Sequence, residues 1–389
     1  MKKLFPLIAL SLPFAASTAT LNGFDVTAYG FLKASAMYST EGLASYNNIN
    51  MSAPTHAVPQ ISSRPQDKRS RLSSQTQQSR IGINLKKEDN LTSKFEFDFI
   101  DFNKSSPTTQ MVPRVRIASV TYTWDDQKFV IGQDWDLFSP TTTYTFDYVG
   151  LYFMSGNTGF MRQQVQYLKL SGDWEFGGAL GMAGNNPGTI DSNLETAKSP
   201  TYAFRLSHKV GEKGRVGLSA IYARLKFQNA PTDDNSTHDS YGTSAFFENV
   251  WEKFELKSET YYGQNMANIG TLAIGRGDAK NDVKEYGATL TGYYRLIDRH
   301  NIFGGTGFAR TDGTTSLPPY AIGTTNANVI SAPGIRGNWL ARVGWDFRVT
   351  EDLSWMAEVS RYETQSRLAA HKFQSNVVYG LETGVQLRF

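Results

Sequence analysis

The chain closes on Val378-Tyr379-Gly380-Leu381-Glu382-Thr383-Gly384-Val385-Gln386-Leu387-Arg388-Phe389. Tyr379, Leu381, Thr383, Val385, Leu387 and Phe389 share one parity, and Val378, Gly380, Glu382, Gly384, Gln386 and Arg388 the other. A period of two sends the two sets to opposite faces of an extended strand. One face is apolar or amphipathic, the other small or polar, and the last side chain is aromatic. A half-buried strand of a soluble sheet shows the same alternation. The rest of the chain has to decide between them.

The opposite end carries an export pattern. Lys2 and Lys3 precede an apolar run from Leu4 to Phe14, and Ala15-Ala16-Ser17-Thr18-Ala19 supplies small residues at the cleavage-determining positions Ser17 and Ala19. The run is short for a membrane helix and contains Pro6 and Pro13, so residues 1–19 are expected to be a signal peptide that is removed. In an exported chain, the aromatic end at Phe389 resembles the closing-strand signal of outer-membrane barrels, which their barrel-assembly machinery reads. A single barrel domain over 20–389 in the cell outer membrane is the expectation.

Composition is compatible with this. A hydrophobic content of 40% and a mean hydropathy of −0.39 look soluble. A transmembrane barrel looks the same, because only alternate residues of each strand meet lipid. No stretch after residue 20 approaches the roughly 20 apolar residues of a membrane helix. Loss of Lys2 and Lys3 would take the formal net charge from +3 to about +1, so no nucleic-acid partner is indicated. The absence of cysteine excludes disulfides, thiolate metal sites and thiol catalysis.

Between the ends, alternating runs recur at 26–38, 79–86, 92–101, 113–124, 128–136, 163–171, 174–184 and 200–209. Eight more follow at 215–227, 240–250, 252–263, 284–296, 301–311, 338–349, 353–364 and 376–389. Sixteen strands are therefore expected, a number that leaves an aqueous channel. Short turns such as Lys87-Glu88-Asp89-Asn90 and Gly172-Asp173 alternate with connections rich in Gly, Pro, Ser, Thr and Asn. The longest of these, 39–78, reads as an external loop without a hidden hairpin. Phe95, Phe97 and Phe99 alternate with Lys94, Glu96 and Asp98. Such charges suit a hydrated lumen and would be costly in a packed soluble core. Trp124, Trp174, Trp251 and Trp355 fall beside short turns, where a periplasmic aromatic girdle would lie.

Two features point to where solute would be sensed. The segment 137–162, the third external loop, carries Phe138, Tyr144, Phe146, Tyr148, Tyr152, Phe153 and Phe160. So many aromatics seek a partly buried setting, and the loop is expected to fold into the lumen as a constriction, with subunit packing or a lid as alternatives. Around it, Arg80, Glu96, Asp98, Arg114 and Arg116 point inward by alternation, with Asp147 in the loop and Arg162 at its end. They either brace the wall by pairing or select solutes through local potential. The excess of arginine tilts the expectation toward anions. Arg205, Arg342, Asp346 and Arg348 are further inward positions without an assigned role.

Ser79-Arg80-Ile81-Gly82, Phe95-Glu96-Phe97-Asp98-Phe99, Arg114-Val115-Arg116, Gly132-Gln133-Asp134-Trp135-Asp136-Leu137-Phe138 and Arg162-Gln163 resemble the landmarks of DcaP-like porins. The resemblance covers about 79–170 well and the remainder in general pattern. It implies a homotrimer in outer-membrane lipid, and a passive diffusion channel for small hydrophilic solutes and ions, favouring small carboxylates. It would give Arg80, Arg114, Arg116 and Arg162 a substrate role. The family often carries a coiled-coil segment before the barrel, whereas here the first strand is expected to follow the signal almost directly, and Asp134 and Asp136 are more acidic than its pattern. No cofactor and no metal are expected. Two readings of other classes compete. A barrel hydrolase would need a catalytic constellation, yet His56, His208, His238, His300 and His371 are scattered and lack a G-x-S-x-G or H-E-x-x-H context. A surface adhesin would use the Arg276-Gly277-Asp278 tripeptide.

Overall fold

The computed structural model describes residues 18–41, 70–100, 112–138, 141–147, 152, 155–159, 161–182, 199–226, 237–266, 284–312, 335–369 and 372–389. Its elements are strands: β1 (Thr18–Leu21), β2 (Phe24–Ser39), β3 (Arg71–Gln75), β4 (Arg80–Lys87), β5 (Leu91–Asp98), β6 (Arg114–Trp124), β7 (Gln127–Trp135), β8 (Met161–Ser171) and β9 (Trp174–Gly181). The series continues with β10 (Thr201–Val210), β11 (Gly214–Lys226), β12 (Thr237–Val250), β13 (Phe254–Gln264), β14 (Lys284–Ile297), β15 (His300–Asp312), β16 (Ile335–Arg348), β17 (Leu353–Ala369) and β18 (Lys372–Arg388). Each pairs antiparallel with its neighbours, and β18 returns to pair with β2 from Gly380↔Ser39 to Arg388↔Phe31. The sheet is closed.

Sixteen staves make the transmembrane barrel. β3 and β4 share one position: β3 pairs with Ser35–Ser39 of β2, and β4 with Asp25–Phe31. The break between them, Thr76 to Ser79, is held by Ser79 Oγ donating to Thr76 O at 2.6 Å and by Lys33 N donating to Ser79 Oγ at 3.0 Å. β1 is a short flap on Phe24–Thr27, on the edge of β2 that β18 leaves uncovered. The long connection 39–78 thus ends in a strand, which corrects its reading as loop throughout. The last hairpin is a second correction. β17 and β18 run on to Ala369 and Lys372, with only residues 370 and 371 between them.

Burial is inverted relative to a soluble sheet. On β18, Tyr379, Leu381, Val385 and Leu387 are exposed on the outer wall, while Glu382 and Gln386 are buried on the inner one. Phe95, Ile131, Val165, Leu180, Phe204, Leu218, Leu290, Val343 and Val359 extend the apolar band around the barrel. A continuous belt of this kind exceeds the few hundred Å² that water-soluble monomers expose, and it suits lipid. At the rim of short turns sits the expected aromatic girdle. Trp124 stacks between Tyr122 and Phe129, Trp251 on Phe254, and Trp174 meets His208 edge-on. His300, Trp345, Phe347 and Trp355 form a further cluster.

The seam needs a glycine. Gly30 exchanges backbone hydrogen bonds with Phe389, at 3.0 and 3.1 Å, while its neighbours pair with β4 on the other edge. Its φ is +152°, and a Cβ there would lie 2.2 Å from the Arg80 carbonyl oxygen and 3.1 Å from the Phe389 ring. Gly30→Val is expected to cost about 1–3 kcal/mol or more through strain and lost pairing. Its folded barrel should unfold at a clearly lower temperature in detergent by gel mobility, whereas Ala34→Val on the outer face of the same strand should not.

Candidate pore constriction

The third external loop leaves β7 at Trp135 and re-enters the wall at Met161. A staple closes its base. Arg162 donates from Nε and Nη2 to Asp136 Oδ2 at 3.1 and 2.9 Å, and from Nη1 to Met182 O at 3.0 Å. Both side chains are buried. Inside this staple the loop turns into the barrel, as its aromatic content predicts. Leu137 and Phe138 pack against inward residues that break the polar pattern: Val130, Leu168, Ile221 and Tyr261. Ser219 Oγ donates to Phe138 O at 2.9 Å.

The loop then crosses toward the far wall in three anchored steps. Glu259 on β13 takes the first. Its carboxylate accepts from Thr141 Oγ1 at 2.9 Å, Asn157 Nδ2 at 3.0 Å and both the hydroxyl and the amide of Thr158. The second is Tyr144, whose hydroxyl donates to Glu255 and whose ring packs on Tyr293 with Lys257 Nζ 4.5 Å above it. Burial, and then the Glu255 carboxylate, push this phenol well above its ordinary pKa, so it stays a donor. The third step is ionic. Arg342 on β16, fully buried, lies 3.2 Å from Asp147 and 3.5 Å from Glu358, and donates to Thr145 Oγ1. Glu358 also accepts from Thr145 Oγ1 at 2.8 Å and Phe146 N at 2.9 Å. Lys33 reaches from β2 to the Phe146 carbonyl, to Gln78 and to Glu382 at 2.7 Å, while Gln78 donates to Asp147 at 2.7 Å. Tyr152 fills the rim beyond, against Met37, Leu340, Tyr362 and Val378.

The charged wall at β5 and β6 is a compact ion-pair ladder. Arg114 chelates Asp98 through Nε at 2.9 Å and Nη2 at 2.5 Å. Arg116 bridges Glu96 at 2.9 Å and Asp98 at 3.2 Å, from a register shift between Glu96 and Phe97. Tyr29 donates to Glu96 at 3.1 Å. Glu96, Asp98 and Arg116 are buried, Arg114 keeps 26% side-chain exposure, and Arg80 is half-buried 5.5 Å from the Phe31 ring. At the turn side of the lumen, Arg205 pairs with Glu175, Arg215 with Glu248, and Arg295 with Glu255. Lys257, Arg348 and Arg388 form no salt bridge among the described residues.

No family model and no curated protein matches the chain. Solved structures do. The outer-membrane channel DcaP of Acinetobacter baumannii superimposes with a TM-score of 0.73 at 15% identity, over 96% of this chain and 100% of that one. The anion-selective porin from Comamonas acidovorans gives 0.58 at 10% identity, over 94% and 100%. OmpT, an outer membrane protein of Vibrio cholerae, gives 0.56 at 12% identity, over 96% and 100%. The chain has the porin fold.

Within that fold, the residues singled out from sequence fall into two groups. Tyr144, Asp147 and Arg162 belong to the inserted loop and its base. Arg80, Glu96, Asp98, Arg114 and Arg116 belong to the wall. Phe389 holds the seam. Sequence reasoning leaves Glu259, Glu358, Glu382, Lys33 and Gln78 without a role, although the inward charges among them are a usable signal. Of the histidines, His208 and His300 sit in the girdle, while His56, His371, the side chain of His238 and the tripeptide 276–278 lie outside the described residues.

Removing Arg342 tests the anchoring. Arg342→Leu leaves Asp147 and Glu358 buried together without their cation, a loss of about 3–5 kcal/mol for breaking a buried pair. Amide hydrogen exchange across 141–147 should accelerate strongly, while amides in the β9–β12 wall should keep their protection.

Proposed function

We propose that this chain is a passive diffusion channel of the outer membrane for small hydrophilic solutes and ions, with a modest preference for small anions such as carboxylates. The observation that carries this reading is the partial exposure of charged side chains on the inner wall. Arg114, Arg205, Glu175, Arg215, Glu248 and Arg295 keep between 13% and 40% side-chain exposure although all face inward. Ionised groups in a dry interior would be paired out of contact with water, so this side of the barrel is hydrated. The likeness to an anion-selective porin supports the sign.

The local charge balance supports the same sign by a different set of residues than arginine content alone suggests. Arg114, Arg116 and Arg162 face carboxylates within 3.2 Å, which favours bracing as their main role. The half-buried Arg80 and the exposed part of Arg114 would still be felt by passing solutes. Lys257, Arg348 and Arg388 add positive potential, which the inward carboxylates Asp346 and Glu259, likewise without a salt bridge among the described residues, offset in part; a narrow channel with low-dielectric walls amplifies the remainder.

The remaining parts of the reading concern assembly. Three copies in outer-membrane lipid are the proposed form, as one OmpT structure with this fold is described as a trimer. Cleavage after Ala19 would shorten β1 to Thr20–Leu21 and leave the β18–β2 seam intact. Phe389 would then serve the assembly machinery as well as the seam.

Refolded protein in a planar bilayer should give stable ohmic steps, and folded protein without conductance would sink the channel reading. Under a salt gradient the reversal potential should have the anion-selective sign. Joint replacement of Lys257, Arg348 and Arg388 by glutamine should move it toward cations. A paired exchange that removes Arg114 together with Asp98 should move it much less.

A further inference from the structure

A cavity of about 270 Å³ lies on the turn side of the inserted loop, roofed by Thr143, Tyr144 and Thr145. Its polar groups are unevenly satisfied. Glu255 is committed to Arg295 and to the Tyr144 hydroxyl. Asp346 is not fully committed. It lines the cavity at 2% exposure, and its Oδ2 accepts from the Tyr293 hydroxyl at 3.0 Å. Its Oδ1 is buried without a hydrogen-bond partner. Arg348 and Arg388 line the same cavity, where Arg348 reaches Tyr293 and Arg388 donates to Ser354 at 3.3 Å. Neither forms a salt bridge among the described residues. The back of the cavity is apolar, formed by buried Phe303 and Met356.

We infer that this cavity is a subsite for a small apolar α-amino acid in its zwitterionic form. The inference rests on the channel reading above and, within its small hydrophilic solutes, adds a zwitterionic class beside the small anions proposed there. An unpartnered buried acceptor calls for an N–H donor, and a cationic one suits a carboxylate best. Two guanidiniums without salt-bridged carboxylates call for an anion, and guanidinium binds a carboxylate with planar two-point geometry. Asp346 and Arg348 are two positions apart on the inner face of β16, roughly 7 Å along the strand. An ammonium and a carboxylate on one carbon suit an acidic and a basic side chain so spaced on one face. The side chain of the solute would rest on Phe303 and Met356.

Neighbouring chemistries fit less well. A dicarboxylate would bring its second negative charge against Asp346. A monocarboxylate would satisfy the arginines but leave Oδ1 unmatched, which weakens binding by roughly tenfold. A simple amine would leave the two guanidiniums without a counter-charge. The cavity is slightly below the roughly 300–1,000 Å³ of drug-sized pockets, as a single small metabolite requires.

Saturation-transfer NMR on the detergent-solubilised barrel, with L-leucine, 4-methylpentanoate and isopentylamine as probes, tests this. Leucine should bind at least about tenfold more tightly than either analogue. Asp346→Asn should weaken leucine about tenfold and leave 4-methylpentanoate unchanged or tighter, because a repelling charge has gone. Arg388→Gln should weaken both and spare isopentylamine. Equal binding of leucine and 4-methylpentanoate overturns the inference in favour of a plain anion pocket. No binding of leucine overturns it outright, as does an equal loss of both ligands in a folded Asp346→Asn barrel. Ohmic conductance of the same preparation, measured separately, shows whether the channel reading stands when the amino-acid subsite does not.

Discussion

Closure of one sheet onto itself is the constraint from which the other features follow. In hydrocarbon, every strand amide and carbonyl needs a partner within the protein, and a sheet edge left open has none. Here the closing ladder between β18 and β2 satisfies the last edge, and Gly30 lets the chain end pass close enough to finish it. Once closed, sixteen staves enclose more space than their own inward side chains can fill. The protein then has to furnish that space with something other than wall. It does so with the third external loop.

Furnishing the lumen reverses the usual pattern of burial. The inserted loop is too polar to sit in a dry core and too aromatic to be fully hydrated. The wall answers with both kinds of contact. Apolar patches under Phe138, Phe146 and Tyr152 receive the rings, and buried carboxylates receive the loop's hydroxyls and amides. Glu259 manages this with donors alone, whereas Asp147, Glu358 and Glu382 share Arg342 and Lys33. Buried pairs of this sort contribute little net stability compared with apolar replacements, but they fix geometry, since losing one partner is costly. Geometry is what a constriction needs.

The barrel is legible in the sequence because its signal is local and repeated: each strand announces its two faces by alternation, and each short turn carries turn residues. The count of sixteen holds for that reason. The inserted loop is legible because seven aromatics in a single connection need a partly buried surface, and a barrel of this width offers one in its lumen. Partnerships are not legible, since Ser35 with Glu382, or Thr145 with Glu358, join residues hundreds of positions apart. β3 escapes a reading by alternation because Arg71–Gln75 is polar on nearly every position and stands at the end of a long polar stretch. A subtler signal is present as well. Val130, Leu168, Ile221, Leu340 and Val378 are apolar at positions where the lumen face is otherwise polar, and they belong to the clusters that receive the loop's rings. Breaks in the inner pattern trace the path of whatever covers the wall.

On the proposed channel reading, the distribution of satisfied and unsatisfied groups also shifts where selectivity would be centred. By composition the arginine-rich ladder of β5 and β6 looks like the selective element. Its charges are mutually neutralised at short range, however, and paired charges in a wall project little field into the lumen beyond their own separation. Charges that lack a counter-ion project much more. These sit lower, on β13, β16 and β18, close to the loop's underside, where Lys257 approaches the Tyr144 ring and Arg348 and Arg388 share a cavity with Asp346. A solute passing the loop would meet the braced ladder on one side and, on the other, three cations and Asp346, none of them held in a salt bridge among the described residues. The potential it experiences there is set by the charges that the protein leaves without a salt bridge, which is why the total charge of the sequence, +3, carries so little information about the channel.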